Sequence, residues 1–545
     1  MTPDKTTNDT KPSVVESSNS QGIDSSNFEV PHLGSKKMPK WTSGELVKAP
    51  TFTWRHWFAL LGPGLLLGGS SIGGGEWLMG PAVTAKYGGA LMWLATLSIV
   101  GQVFYNMEIS RYTLYTGEPI FTGKFRLLPG PQFWIVLYLI LDFGTVFPYL
   151  AANAATPLAS VLLGGELPNP EQNDMHWWLL RLLGYLIFLL ALVPLVMGGK
   201  IYNSLKGIMT FKMFTVLGFL SILAIFHSNA STWYEIFGGF FRFGTVPIGG
   251  IETTNVFISL IRGNGMPDVD LSTIALLAAF AAIAGSGGLS NAAVSNYTRE
   301  QGWGMGHHVG AIPSLIGGRE LKLSHSGMIF QVTPKSLERW KSWYRHLVRD
   351  QVVVWMPACF LGVALPSMLS LQFLPRGTEA SSWVAAGMTS NGVRTHVGAA
   401  WGPEAGEIFW YLTMLCGFLV LAPTMATHSD GFIRRWVDVF WTASSRLRKM
   451  DPANIRWVYF SVVVIYGIFG LIMLSVAPPL ELLKIAANVF NYALGFSCFH
   501  TLVVNLTLLP KELRPGWFMR IGLSLAGLFF TILAIVTTLQ LVGIL

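Results

Sequence analysis

The sequence predicts an all-α membrane protein of eleven transmembrane helices, built as a five-plus-five inverted repeat with helices 1 and 6 broken. Three observations carry this. Of the 545 residues, 51% are hydrophobic and 12% charged, against roughly 25% charged in soluble domains. Apolar segments long enough to cross about 30 Å of hydrocarbon recur from residue 57 to the end of the chain. Finally, the first and sixth of these segments are interrupted by glycine near their middles, in SSIGGGEWLMG at 70–80 and GSGG at 285–288.

Residues 1–50 are polar, rich in Ser, Asn and Asp, and have no apolar run; a disordered cytoplasmic tail is expected, not a signal peptide. The apolar segments then fall near 57–84, 89–115, 132–162, 176–198, 206–227, 271–297, 347–372, 405–429, 454–477, 480–508 and 517–544. Residues 51–230 hold the first repeat and 231–270 an extracytoplasmic loop. The second repeat occupies 271–510, with a cytoplasmic loop at 299–345, and 511–545 supply the eleventh helix. Cations gather after every second segment: Arg111, Lys124 and Arg126; Lys200 and Lys206; a run from Arg299 to Arg349; Arg434 to Lys449; Lys511 and Arg514. The positive-inside rule then puts the N-terminus in the cytoplasm and the C-terminus outside, in a multi-pass protein of the cell membrane. The net charge of +8 reports this orientation and not nucleic-acid binding. Cys359, Cys416 and Cys498 lie in apolar segments without CxxC spacing and read as core residues.

Segments one and six enter the membrane from opposite sides. Broken helices at matching positions of two oppositely oriented halves point to a transporter, because freed backbone groups are tolerated at membrane depth only where they face a cavity or a solute. Close helix packing on small residues is the plainer reading of one glycine cluster. Two matching clusters favour a solute site where Gly73, Gly74, Gly75 and Glu76 meet Gly285, Ser286, Gly288, Ser290 and Asn291, with Ser70 at the edge.

The stretch GPGLLLGGSSIGGGEWLMGPAVTAKYGGALMW, residues 62–93, resembles the first segment of the Nramp family of metal transporters. That family opens with GPG, breaks at DPGN and closes with a Lys-aromatic-Gly turn, matched here by Gly62-Pro63-Gly64 and Ala85-Lys86-Tyr87-Gly88. Arg111 and Tyr115-Thr116-Gly117 are similar to the family's close of its second segment. The resemblance implies a LeuT-like fold and proton-coupled import of a divalent metal ion, of the Mg or Mn type, with the carbonyls of Ser70 and Gly285 as ligands. The departures fall on the chemistry. Gly73-Gly74-Gly75-Glu76 replaces DPGN, and Gly288-Leu289-Ser290 stands nearest to the family's Met-Pro-His, whose thioether suits soft metals. Hydroxyls and carbonyls remain for a hydrated hard cation. The same glycine-rich half-helix ends suit a symporter of a small amino or carboxylic acid, and both substrates stay open.

Glu76, a carboxylate near mid-membrane, is functional by default. It can ligate the ion, carry the coupling proton, or simply bond the unwound backbone. Asp142, the one carboxylate within segment three, is a second proton-coupling candidate, and with Lys212 it is expected to form a buried pair. Glu108 and Arg111 are spaced for a local pair. His428 and Asp430 are expected at the inner interface. Asn488 and Asn491 share a face of segment ten with His500 nearby, as site-lining groups or as interhelical hydrogen bonds. His307-His308 falls in a loop, and neither HExxH nor GxSxG occurs, so no enzyme and no cofactor are expected. The partners are the transported ion or small solute and the lipid bilayer; the oligomeric state is open. The basic, aromatic stretch within 299–345 is expected either on the membrane surface or folded against the protein's inner face.

Overall fold

The computed structural model describes residues 28–51, 62–197, 201–313, 315, 322–381 and 383–545. The chain is helical almost throughout. Its first half holds α1 (Pro63–Ser71), α2 (Gly80–Tyr87), α3 (Trp93–Thr116), α4 (Ile120–Arg126), α5 (Pro131–Leu141), α6 (Tyr149–Leu162), α7 (Asp174–Val196) and α8 (Ile201–His227). Then come α9 (Ala230–Gly239), α10 (Val256–Ile261), α11 (Ile274–Ile283), α12 (Ala293–Glu300), α13 (Gly306–Val309), α14 (Pro334–Arg349) and α15 (Met356–Phe373). The last are α16 (Ser390–Trp401), α17 (Pro403–Ala443), α18 (Ile455–Met473), α19 (Pro479–Leu508) and α20 (Trp517–Leu541).

Among the described residues, eight helical runs are long and apolar enough to cross a membrane. Two bent pairs bring the number to ten when each pair is one span. One pair turns through 98° between Leu91 and Trp93, and the sequence reading counts its arms as two spans; the other bends by 58° beside Asp142. The two glycine-rich interruptions are real breaks. α1 packs on α8 and α15, α11 on α19, and α17 on α6, α7 and α8, which surrounds both breaks with helices.

Three expectations change. The tail expected to be disordered over 1–50 is ordered from residue 28, while residues 1–27 lie outside the described residues. Met38, Trp41 and Leu46 are buried, and β1 (Thr42–Ser43) pairs in parallel with β4 (Met328–Ile329). The loop expected over 231–270 contains most of α9, all of α10, and an antiparallel hairpin of β2 (Thr245–Gly249) and β3 (Glu252–Asn255). The third change is in α17, whose 41 residues span about 60 Å at 1.5 Å per residue, twice the hydrocarbon thickness. Arg434 and Arg435, expected in a loop, are therefore helical and fully buried. Arg434 pairs with Asp430 and Glu300, Arg435 with Asp142, and Arg299 with Asp438.

The basic stretch before α15 folds against the protein. α14 buries Trp340, Trp343 and Leu347, and the Arg111 guanidinium lies 4.3 Å from the centre of the Tyr344 ring. Trp343 donates to the Val47 carbonyl, so α14 also clasps the N-terminal strap.

Buried Glu118 is the hub of that strap. It accepts from Trp41 Nε1 at 3.0 Å, Tyr112 Oη at 2.9 Å and the Gly327 amide at 2.8 Å, and it pairs with Arg126. Glu118→Ala leaves Arg126 buried and unpaired, which costs about 3–5 kcal/mol. We expect a clear fall in melting temperature for the detergent-solubilised variant; an unchanged melt refutes the hub assignment.

Candidate functional site

α1 unwinds after Ser71, where Ile72 takes φ −72° and ψ 81°, and the helix resumes through a wide π turn over Gly75–Met79. α11 ends at Ile283, and the chain passes through Gly285 at φ +107° before a 3₁₀ turn at Gly288–Ala292 leads into α12. The breaks touch backbone to backbone: a Cβ on Gly75 would lie 2.2 Å from the Ile283 carbonyl oxygen. That approach is why glycine is needed at 75.

Glu76 joins the breaks. Its carboxylate is buried and accepts from the Gly73 amide at 3.0 Å and from the Gly285 amide at 2.9 Å. An acid in the first turn of the second half-helix also meets the positive end of that helix's dipole. Glu76 thus supplies from within the chain an anion for the freed amides of both breaks. Lys212 of α8 is fully buried and donates to Thr424 Oγ1 of α17.

A cavity of about 40 Å³ lies between the breaks. At roughly 10–15 Å³ per water it holds about three water-sized atoms, so an acid of four or five heavy atoms requires its walls to part. Ser70 Oγ and Thr427 Oγ1, 2.6 Å apart, and Ser71 Oγ and Ser286 Oγ, 2.9 Å apart, tie its walls together. Ser290 lines it with a buried hydroxyl that has no hydrogen-bond partner. His428 lines it too; in its neutral form Nε2 donates to the Thr145 carbonyl at 3.1 Å, which leaves Nδ1 as an acceptor.

Of the residues picked from the sequence, Ser70, Gly73, Gly74, Gly75, Glu76, Gly285, Ser286 and Ser290 line this cavity. The others lie behind it or away from it. Gly288 packs on Phe490, and Asn291 donates to Gln102 Oε1 at 2.9 Å. Asn488 meets Thr538, and Asn491 donates to the Ala278 carbonyl, so both are interhelical hydrogen bonds. Asp142 does not pair with Lys212. It accepts from Arg435 at 2.8 Å and from Trp436 Nε1 at 2.9 Å, away from the cavity lining. Glu108 and Arg111 do pair. His428, expected at an interface, is instead a wall of the cavity.

Sequence reasoning missed Gln102, the organiser of the second break. Its Nε2 donates to the Ala284 carbonyl at 2.7 Å, and its Oε1 accepts from the Ser286 amide at 2.9 Å. An amide inside an apolar helix was the available signal. Thr424 and Thr427 had none, since hydroxyls are common in membrane helices.

No protein-family model matches the sequence, and no curated protein matches it. Solved structures do match. The manganese transporter of Eremococcus coleocola, in a histidine-to-alanine mutant form, aligns with TM-score 0.59 at 10% identity over 92% of this chain and 91% of its own. A glutamate-to-alanine form aligns with TM-score 0.58 at 11% identity, covering 92% and 91%. A complex of that transporter with an aromatic bis-isothiourea substituted compound aligns with TM-score 0.57 at 11% identity, covering 94% and 92%. This chain is a multi-pass membrane protein that shares the fold of that manganese transporter.

Proposed function

We propose that the chain is a proton-coupled secondary transporter whose solute, a small carboxylic or amino acid, binds in the cavity at the two breaks. The observation that carries this is the state of Glu76: both of its oxygens hold amides, and the buried amine of Lys212 donates to Thr424, a residue of the cavity wall. A divalent ion would bring two charges to membrane depth against a carboxylate already engaged by two amides, and each charge there costs about 2.5–3.5 kcal/mol even on translocon scales. Among the described residues, no three His, Cys, Asp or Glu side chains gather into a metal-ligating set. A carboxylate solute can instead face Thr424, the wall residue that holds the Lys212 amine, while Glu76 takes the coupling proton. One proton then travels with one carboxylate. The Ser290 hydroxyl and His428 Nδ1 remain to meet the rest of the solute.

The fold favours a second reading, import of a hydrated divalent ion such as Mg²⁺ or Mn²⁺, with Glu76 and the hydroxyls of Ser70, Ser71, Ser286 and Ser290 around it. Under either reading the loop charges orient the N-terminus to the cytoplasm. Proteoliposomes with an imposed inward proton gradient decide between them. The expected result is saturable uptake of glycine or acetate that collapses with a protonophore, and no Mn²⁺ or Mg²⁺ uptake above empty vesicles. Saturable ion uptake without the organic acids overturns the proposal and supports the metal reading.

A further inference from the structure

A larger space lies well away from the solute cavity. A groove of about 620 Å³, within the roughly 300–1,000 Å³ of small-molecule sites, runs between the N-terminal strap, α5 and α19. Its walls are apolar, with Leu33, Leu127, Trp134, Phe496, Phe499 and Val503 among them. Phe499 and Val503 are 40% and 47% exposed on a helix long and apolar enough to cross the membrane, so the groove opens toward the hydrocarbon.

The groove also has a polar floor. His500 is 5% exposed; its Nδ1 bonds Tyr138 Oη at 2.7 Å and its ring lies 4.1 Å from that of Trp134, while its buried Nε2 has no partner. Behind Tyr138 sits Lys124, fully buried, whose Nζ bonds the hydroxyls of Tyr105 and Ser497 and lies 5.3 Å from the Tyr138 ring centre, so the floor is polar behind the apolar walls. Lys36 and Lys37 follow the lining residues Leu33 and Gly34 in the chain and are exposed; Lys37 Nζ donates to Gln132 Oε1 at 2.6 Å, and Arg448 donates to the Lys37 carbonyl at 3.2 Å.

We propose that this groove binds one anionic phospholipid. An acyl chain lies along Trp134, Phe496, Phe499 and Val503, an ester carbonyl accepts from His500 Nε2, and the phosphate faces Lys36 and Lys37. A soluble ligand would have to reach a groove that opens to hydrocarbon, and a second protein copy would leave the partnerless His500 Nε2 and the exposed Lys36 and Lys37 unanswered. A lipid meets the apolar wall, the lone donor and the cations together.

The test is native mass spectrometry of the full-length protein in detergent, titrated with phosphatidylglycerol and phosphatidylcholine of identical chains. The wild type is expected to hold one phosphatidylglycerol about tenfold more tightly than phosphatidylcholine. Val503→Trp and Thr507→Phe both fill the groove from exposed positions on α19 and keep the fold, so each is expected to remove that tight lipid with little change in melting temperature. His500→Phe, which keeps the ring and deletes the donor, is expected to weaken it severalfold. Tight binding that survives both groove-filling variants, or no preference between the two lipids in the wild type, overturns the assignment.

Discussion

Glu76→Gln is expected to reduce uptake by roughly 100-fold, what about 2.7 kcal/mol on a barrier delivers. A glutamine presents one acceptor oxygen where the carboxylate presents two, so either Gly73 or Gly285 loses its partner. An orphaned buried amide costs about 1–3 kcal/mol. Two readouts separate the roles. If Glu76 carries the coupling proton, the remaining uptake no longer responds to the proton gradient. If it serves only as a cap for the breaks, stability falls while the proton dependence survives. A Glu76→Gln protein with wild-type uptake and proton response would sink the proposed mechanism.

Gly75→Ala is the second large effect. The new Cβ would lie 2.2 Å from the Ile283 carbonyl oxygen and 2.6 Å from its carbon. Both atoms are backbone, so no side chain can swing aside, and the two half-helices must separate. That lengthens the Gly285-to-Glu76 hydrogen bond that joins the breaks. We expect loss of transport and a destabilisation of about 2–4 kcal/mol, in the range of severe core changes. Gly207→Ala is the control: nothing lies within 4 Å of its Cβ, and alanine favours the helix. It is expected to melt at or above the wild-type temperature with full uptake. A stable, active Gly75→Ala protein would mean that the breaks do not need this contact.

The carboxylate at position 76 was conspicuous in the sequence because its type conflicts with its setting. The same conflict marks Lys212, yet the sequence reading paired it with Asp142, and the structure gives Asp142 to Arg435. Helix periodicity states which residues share a face, not which neighbour that face meets. Arg435 was misplaced because α17 runs on past the hydrocarbon, and a hydropathy reading ends a helix where charges begin. The strap over 28–51 failed for a related reason. Its composition is that of a disordered segment, but Trp41 finds a buried acceptor in Glu118, and β1 finds β4 nearly three hundred residues away.

By itself the sequence determined that this is a helical membrane protein, broken at residues 73–76 and 285–288, with an acid placed at the first break. These are properties of single segments: apolar length, glycine content and the cost of a charge at membrane depth. Only the tertiary structure decided that Glu76 holds amides from both breaks, that Lys212 bonds Thr424 and not Asp142, that Gln102 shapes the second break, and that Asn488 and Asn491 bond neighbouring helices. A buried polar group must find a partner, and in a bundle that partner comes from whichever helix packs beside it, often hundreds of residues away in the chain.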